Sequence, residues 1–428
     1  MRSKAVGPSL AVLFFVNVLN YYDRQALGAV AEPLRREFGL SDAQLGGLST
    51  LFIVLYAVAG LPLGRLADTW SRRKLMALGV AVWAGLTALG AMAASYALLA
   101  ATRLGVGIGE AVCAPAANSW IGGLVPAGQR ARAMAGFMMA VPVGVMLSSA
   151  VTGPAAQAWG WRVALALAAA PAMLLVPALL WLKEPERAAA SLTGRVAAPL
   201  SLLRIQALWW IAASGAILNF ALYSFSAFLP AFLKRYHGLS VAQAGLWTGI
   251  GSGVAGVAGA VLAGLWGDRI MNCWSNGRLL LAAGAALLAA PLAYIAIALP
   301  AGNSAGALAL IMPAYGLLQM YYGLVYAAIN DIVEPGLRGT AMAGYLLVTY
   351  LGGAAFGPLL TGMLSDHFAR RAAGTAAVTE AAKAIGLHQA MYVVPAMALV
   401  LAGVLWAGAR AAREGREGPE LDAASRAS

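Results

Sequence analysis

The chain has 428 residues, of which 61% are hydrophobic and 11% charged, and its mean hydropathy is +0.76. Soluble domains carry about 25% charged residues, so this composition excludes an ordinary soluble enzyme and requires a bilayer. The net charge of +12 is dispersed over short loops beside apolar segments, where basic residues set topology, and no nucleic-acid partner is expected.

The apolar runs are about 20 residues long, without the alternation of membrane strands. The fold class is therefore all-α membrane protein. Twelve transmembrane helices are predicted at about 9–30, 42–66, 75–95, 98–122, 133–157, 162–182, 207–233, 241–266, 279–299, 306–331, 340–364 and 388–409. Met1–Lys4 is too short for the charged region of a cleaved signal, and the first apolar run continues past Tyr22. The stretch 183–206, with Lys183, Glu184, Arg187, Arg195 and Arg204, is the long polar interruption in mid-chain. It divides an N-terminal bundle (1–182) from a C-terminal bundle with a short polar tail (207–428). Basic residues in the loops and tails alternate 19 against 8 between the two sides, which places both termini in the cytoplasm of an inner (plasma) membrane protein.

Helix 1 carries Tyr22, Asp23 and Arg24 at membrane depth. Ionisable groups there cost roughly 2.5–3.5 kcal/mol on insertion scales, and they persist where they face protein or a wet cavity. Helix 4 repeats the pattern in Arg103-Leu-Gly-Val-Gly-Ile-Gly-Glu110. Seven residues make about two turns, so Arg103 and Glu110 share a face about 10 Å apart. If helix 1 enters near Ser9, Asp23 lies about 21 Å in; Arg103, about 8 Å from the opposite entry of helix 4, reaches the same level, with Glu110 deeper. An Asp23–Arg103 pair would favour the charged aspartate. Glu110, if it lacks a close cation, is the group expected to exchange a proton, with Asp23 assisting. Either arginine can reach either acid in this geometry. Gly105, Gly107 and Gly109 are expected to bring helix 1 close.

The second half lacks such charges. Helix 7 offers Asn219, Tyr223, Ser224 and Ser226, and helix 10 offers Gln319, Tyr321, Tyr322, Tyr326 and Asn330. A cavity charged on one wall and aromatic on the other suits an amphiphile with an anionic head. Its expected contacts are Tyr22, Arg24, Arg103, Asn219, Tyr223, Gln319 and Tyr322.

Three stretches recur in the same order. Gly39-Leu-Ser-Asp-Ala-Gln-Leu-Gly46 matches Gly238-Leu-Ser-Val-Ala-Gln-Ala-Gly245, Gly64-Arg-Leu-Ala-Asp68 matches Gly264-Leu-Trp-Gly-Asp268, and Arg130-Ala-Arg-Ala-Met-Ala-Gly136 matches Arg338-Gly-Thr-Ala-Met-Ala-Gly344. Offsets of 199, 200 and 208 indicate duplication of a six-helix unit. Gly64, Asp68, Arg72, Arg73, Asp268 and Arg338 are the expected cytoplasmic gate. There Gly64 permits close approach and Asp68 pairs with Arg72 or Arg73 or accepts from a helix N-terminus. Asp331 is placed with Arg338 in that gate, and Asp366 is read as an outer-side cap.

Gly64-Arg-Leu-Ala-Asp68-Thr-Trp-Ser-Arg72-Arg73-Lys74 resembles the signature loop between helices 2 and 3 of the major facilitator superfamily. Arg103-Leu-Gly-Val-Gly107-Ile-Gly109 resembles its helix 4 motif, which the resemblance links to proton coupling. Trp161-Arg162 and Gly352-Gly-Ala-Ala-Phe-Gly357-Pro358 also fit. With Asn20-Tyr-Tyr-Asp23-Arg24, Ala114-Pro115 and Ala140-Val-Pro142-Val-Gly144, the chain is similar to the spinster-like branch over nearly its whole length. Val141 before Pro142 and the run Leu147-Ser148-Ser149 depart from it mildly.

The resemblance implies two pseudo-symmetric six-helix bundles and alternating access, with Asp23, Arg24, Arg103 and Glu110 as the polar network of the first half. The expected function is a secondary active transporter, proton-coupled, for a lipid-like or amphipathic anionic substrate, acting as a monomer in the lipid bilayer. The alternatives are an organic anion:proton symporter for sugar or aromatic acids and a multidrug efflux antiporter; a channel or receptor would not need duplicated gate loops. No cofactor, metal or catalytic residue is expected. Cys113 and Cys273 have no CxxC spacing, His237, His367 and His388 fall at outer helix ends or loops, and no Gly-rich phosphate loop with Lys-Ser/Thr occurs.

Overall fold

A computed structural model describes residues 3–126, 129–184, 199–271, 273–274, 276–334 and 337–427. They form sixteen α-helices: α1 Ser3–Ala29, α2 Ala31–Phe38, α3 Asp42–Thr69, α4 Arg72–Ala91, α5 Tyr96–Ala111, α6 Cys113–Leu124, α7 Arg130–Met138, α8 Ala140–Trp181, α9 Gln206–Arg235, α10 Val241–Met271, α11 Gly277–Ala298, α12 Ser304–Ile332, α13 Arg338–Thr349, α14 Phe356–Ala373, α15 Glu380–Met391 and α16 Val393–Ala427. A short 3-10 turn covers Pro199–Arg204, and a π turn, Tyr350–Ala354, joins α13 to α14. Most of the interval between the two predicted bundles, including Pro185, Glu186, Arg187 and Arg195, lies outside the described residues.

Among the described residues ten helical segments are long and apolar enough to cross a membrane. One of them runs 50 residues, from Arg132 to Trp181. It contains a sharp break at Gly160 (φ 85°, ψ 161°), between the predicted fifth and sixth spans. Bulky side chains such as Met92, Leu174 and Trp181 are 75–91% exposed. Water would penalise such a surface, whereas acyl chains accept it.

The sequence repeat has a local structural cause. Gly39 (φ 65°) and Gly238 (φ 76°) take the left-handed conformation that L side chains avoid. Two residues on, Ser41 Oγ accepts from Gln44 N while Ser41 N donates to Gln44 Oε1, and Ser240 and Gln243 make the same reciprocal pair. Each is a capping box that satisfies orphan donors at a helix N-terminus. The repeated Gly-x-Ser-x-x-Gln therefore stops one element and starts the next, in α3 and again in α10.

The described residues divide into two compact units. The first comprises Met1–Ala190, Ser226–Gly253 and Pro358–Leu387; the second comprises Ser191–Phe225, Val254–Gly357 and His388–Ser428. Trp83, Trp120, Leu13 and Met76 lie in one core cluster of the first unit, and Leu34, Leu48, Leu99 and Leu165 in another. Leu218, Leu324, Ile329 and Leu405 anchor the core of the second. In the second unit a glycine of the π turn and one at the start of α14 meet α9: a Cβ on Gly353 would sit 2.0 Å from Ala216 O, and one on Gly357 2.4 Å from Phe220 O. Backbone touches backbone there, so the Gly352–Gly357 run serves close packing.

Candidate functional site

In the first unit, α1, α4 and α5 bring four buried charges together as two ion pairs. Arg24 Nε donates to Glu110 Oε2 at 2.7 Å, with the two side chains 7% and 0% exposed. Arg103 Nη1 stands 3.5 Å from Asp23 Oδ2. Thr87 of α4 stitches the second pair: its hydroxyl donates to Asp23 Oδ2 at 3.0 Å and accepts from Arg103 Nη2 at 3.2 Å. Of the pairings that the sequence leaves open, the fold joins Asp23 to Arg103. Glu110, by contrast, does have a close cation, because Arg24 follows Asp23 by 100° of helix rotation and turns towards α5.

Both acids keep a second oxygen in reserve. Glu110 Oε1 and Asp23 Oδ1 are buried and accept no hydrogen bond among the described residues, and Asn20 Nδ2, on the same face of α1, donates none. Arg24 has further support from aromatic faces: its Cζ lies 4.2 Å from the Tyr56 ring centroid, 4.8 Å from Tyr21 and 5.6 Å from Phe52. Such contacts let a guanidinium persist with little water. Tyr22, next along α1, is turned to α8, where its hydroxyl accepts from Thr152 Oγ1 at 3.1 Å.

The glycines between Arg103 and Glu110 do not approach α1, and that expectation is corrected. A Cβ on Gly107 would stand 2.6 Å from Phe52 O of α3, and Cβ atoms on Gly105 and Gly109 would meet Leu86 and Trp83 of α4. The close approach to α1 is made by Gly144 of α8, whose Cβ would lie 2.4 Å from Val18 O. Spacing on α5 showed that small residues faced a neighbour, but not which neighbour.

Of the polar residues predicted for the other wall, Asn219, Tyr223, Gln319, Tyr321, Tyr322 and Tyr326 lie in the second unit, whereas Ser226 lies in the first, where its Oγ donates to Gln25 Oε1 at 2.7 Å. Tyr322 donates to Asn219 Oδ1 at 3.0 Å, Asn219 Nδ2 donates to Gly215 O, and Gln319 Nε2 donates to Tyr315 Oη at 2.8 Å. Rings of Tyr321, Tyr322, Tyr326 and Tyr345 follow one another edge to face at 5.7–5.8 Å between neighbouring centroids. Tyr223 packs edge-on to Tyr350. The cluster is uncharged, with aromatic faces and a few oriented polar groups.

Of the predicted gate, the side chains of Asp68 and Asp268 lie outside what the structure describes. A Cβ on Gly64 would be 3.9 Å from Pro115 Cβ, an ordinary contact. Arg338 Nε donates to Val333 O at 3.2 Å, and Asp331 pairs with Arg278 of α11 instead. Arg72 and Arg73 belong to a reciprocal helix cap. Glu184, just after α8, accepts from Ser71 Oγ at 2.6 Å and from Arg72 N at 2.9 Å, at the N-terminus of α4. Arg73 Nη1 in turn donates to Leu180 O and Leu182 O at the end of α8. Each charge sits at the helix end whose dipole favours it.

Burial alone would raise the Glu184 pKa, but the hydrogen bonds from Ser71, Arg72 and Arg73 hold it below its ordinary value of 4.5. A depressed acid stabilises the fold above its unfolded pKa and loses that contribution as pH falls through the folded one. Glu184→Gln is therefore expected to lower the thermal midpoint at pH 7, and the difference from wild type should vanish as the pH is taken well below 4.5.

A further charged cluster in the first unit was missed in the sequence, where its arginines were counted only as loop charges. Arg235, at the end of α9, makes a bidentate bond to Asp42 (Nη1–Oδ2 2.7 Å, Nη2–Oδ1 2.8 Å) and also pairs with Glu32 of α2. Arg35 joins Glu32 at 3.0 Å and Glu380 of α15 at 3.1 Å. From α14, Ser365 Oγ donates to Asp42 Oδ2 at 2.6 Å, and both Asp366 oxygens accept from the first N–H groups of α3, Asp42 N and Ala43 N, at 2.9 Å. Asp366 is thus a cap, but of α3. A Cβ on Gly362 would stand 2.2 Å from Asp42 O, so α14 and α3 touch through backbone. Burial alone would raise Glu32; Arg235 and Arg35 outweigh it and hold the acid below its ordinary value of 4.5. These contacts clamp the ends of α2, α3, α9, α14 and α15 together.

Buried charge pairs, a paired-arginine helix cap and duplicated six-helix signals agree with one family. Residues 13–356 match the Major Facilitator Superfamily. The chain belongs to that superfamily. It is 30% identical over 363 residues to an MFS-type efflux pump of Mycolicibacterium smegmatis, covering 84% of each chain. It is 28% identical to Protein spinster of Drosophila melanogaster over 85% of this chain, which spans 63% of the fly protein. A bacterial homolog of the human lysosomal transporter Spinster, solved inward-facing and unoccupied, superposes with a TM-score of 0.84 at 25% identity, over 96% of this chain and 98% of that one. The D-xylose-proton symporter shares the fold, with a TM-score of 0.76 at 18% identity over 94% and 97%. Within the superfamily the chain falls in the spinster-like branch. It is a multi-pass membrane transporter and not an enzyme. Among the described residues no group of three or more His, Cys, Asp or Glu is placed to hold a metal.

Proposed function

We propose that this transporter works by alternating access, its two six-helix halves (1–182 and 207–428) rocking about a midplane site, and that it couples proton movement to an amphipathic anion. The observation that carries the reading is the Arg24–Glu110 pair, buried at 7% and 0% exposure. An anionic head group that claims Arg24 leaves Glu110 without its cation, and a proton then removes the buried charge. Release of the anion returns Arg24 to Glu110 and expels the proton. Asp23 and Arg103 support this exchange, with Thr87 holding their geometry. Tyr22, Asn219, Tyr223, Gln319 and Tyr322 receive the apolar body, and the gate comprises Gly64, Asp68, Arg72, Arg73, Asp268 and Arg338. We place the protein in the inner membrane, as a monomer.

A thermal-shift panel of lysolipids, sugar acids and cationic dyes tests the substrate class. Stabilisation by anionic lysolipids is expected, and Arg24→Gln should remove it. Stabilisation by the dyes alone would favour multidrug efflux, the reading that the Mycolicibacterium relative's name supports; sugar acids alone would favour the organic anion symporter.

A further inference from the structure

Four buried polar atoms around the ion pairs make no hydrogen bond among the described residues: Asp23 Oδ1, Glu110 Oε1, Asn20 Nδ2 and Arg103 Nε. Their residues are 0–3% exposed. Buried polar groups are paired as a rule, so each of these atoms calls for a partner. Asp23 and Arg103 share a level, since Arg103 Nη1 stands 3.5 Å from Asp23 Oδ2. α3 doubles back from α1 and keeps Gly47 beside Tyr96 and Gly64 near Pro115, so α5 runs against α1. Glu110 then lies about 10 Å below Arg103, and Asn20, three residues before Asp23, about 4.5 Å below the same level. Asn20 is therefore between the two acids in depth, on the face of α1 that carries Asp23 and Arg24.

The donor count selects the partner. Two N–H groups and two carboxylate oxygens complement one water, which accepts two hydrogen bonds and donates two. A metal cation is disfavoured because the Nε–H of a guanidinium can only donate, and an anion because both acceptors are carboxylates.

We propose that Asn20 is a positioning residue that, with Arg103, holds a water between Asp23 and Glu110, and that this water passes the coupling proton from one acid to the other. In one direction, protonated Asp23 gives its proton from Oδ1 to the water oxygen while the water gives one of its own to Glu110 Oε1. Asp23 becomes a carboxylate beside Arg103, Glu110 becomes neutral, and the water is regenerated. The reverse sequence empties Glu110. The relay rests on the coupling role proposed for Glu110 and supplies its proton with a path. The other charged or titratable groups facing this path are Arg24, Tyr21 and Tyr56 against that guanidinium, and Cys113 one turn beyond Glu110.

Time-resolved infrared spectroscopy of the whole chain in nanodiscs provides the test, with protons released from a caged acid and no substrate added. Wild type should show the carboxylic C=O band of Glu110, identified by its loss in Glu110→Gln. An O–H band that shifts in heavy-oxygen water should rise with it. Asn20→Leu, similar in volume but without a donor, should lose the water band and slow the carboxyl band about tenfold. Asp23→Asn should slow it as much, whereas Asn20→Ser, which keeps a donor, should stay within about threefold of wild type. Absence of the water band in wild type overturns the proposal, whichever variants fold. So does a carboxyl band that rises in Asn20→Leu at the wild-type rate. Either result with the Glu110 band present rejects the relay and leaves the proposed function standing; no Glu110 band at any pH rejects both.

Discussion

Arg235→Met is expected to lower the thermal midpoint more than a substitution at any exposed basic residue, because it strands two buried acids. Arg235, Glu32 and Asp42 are each about 4% exposed. Removing one partner of such a pair costs about 3–5 kcal/mol, since the remaining charge stays out of water uncompensated. Here one guanidinium serves two carboxylates. The same reasoning predicts repair: adding Glu32→Gln and Asp42→Asn to Arg235→Met removes the stranded charges and should restore most of the midpoint. The clamp should also control access. A cysteine at Ala231, a turn before Arg235 and 1% exposed, should resist maleimide in a Cys273→Ser background and label readily once Arg235 is methionine. Resistance that persists alongside an unchanged midpoint would show that the cluster holds nothing together. Because Glu32 is held below 4.5, its share of the stability is complete above that value. It is lost only as the pH falls through the lower folded value.

The second large effect concerns Arg24 and Glu110, and it is asymmetric. Arg24→Gln leaves Glu110 at 0% exposure with no ion-pair partner, at an expected cost of about 3–5 kcal/mol while the acid is charged, a cost that protonation relieves as the pH falls. Glu110→Gln leaves Arg24 over the faces of Tyr21, Phe52 and Tyr56, where cation–π contacts retain part of its stabilisation. Arg24→Gln should therefore unfold at a clearly lower temperature than Glu110→Gln. The double variant should recover much of the loss, with a coupling of about 0.5–3 kcal/mol between the two sites. Equal and additive effects of the two substitutions would mean that the pair contributes no specific interaction. The asymmetry bears on mechanism as well as stability, because a guanidinium that keeps aromatic support can give up one carboxylate and receive another anion.

What the sequence disclosed depended on how local each signal was. Composition and 20-residue apolar runs disclosed the membrane class, because burial in lipid acts on every residue. The internal repeat was visible because Gly39 and Gly238, with Ser41–Gln44 and Ser240–Gln243, do local work: a left-handed residue followed by a capping box. The four charges in helices 1 and 4 stood out because each is costly at that depth. Their pairing did not, since Asp23 and Arg24 are adjacent and either arginine could reach either acid; only the fold, which turns Arg24 to Glu110 and Arg103 to Asp23, decides it. The Arg235 cluster was not legible at all. Its partners Asp42 and Glu32 lie 193 and 203 residues from Arg235 in sequence, and no periodicity relates them. Asp366 was read as a cap, yet only the fold shows that it caps α3. The glycines of α5 declared that a helix is close without saying which, because a missing side chain carries no direction beyond its own face.

The central claim, that Glu110 takes up a proton when an anion draws Arg24 away from it, is tested most directly by proton flux. Wild-type protein in proteoliposomes loaded with a pH-sensitive dye should move protons across the bilayer when an anionic lysolipid that stabilises it is added to one side. Glu110→Gln should still exchange labelled lysolipid for unlabelled but move no protons with it, and its transport should lose its dependence on pH. Proton movement by Glu110→Gln at the wild-type rate, with the wild-type pH dependence, would contradict the account.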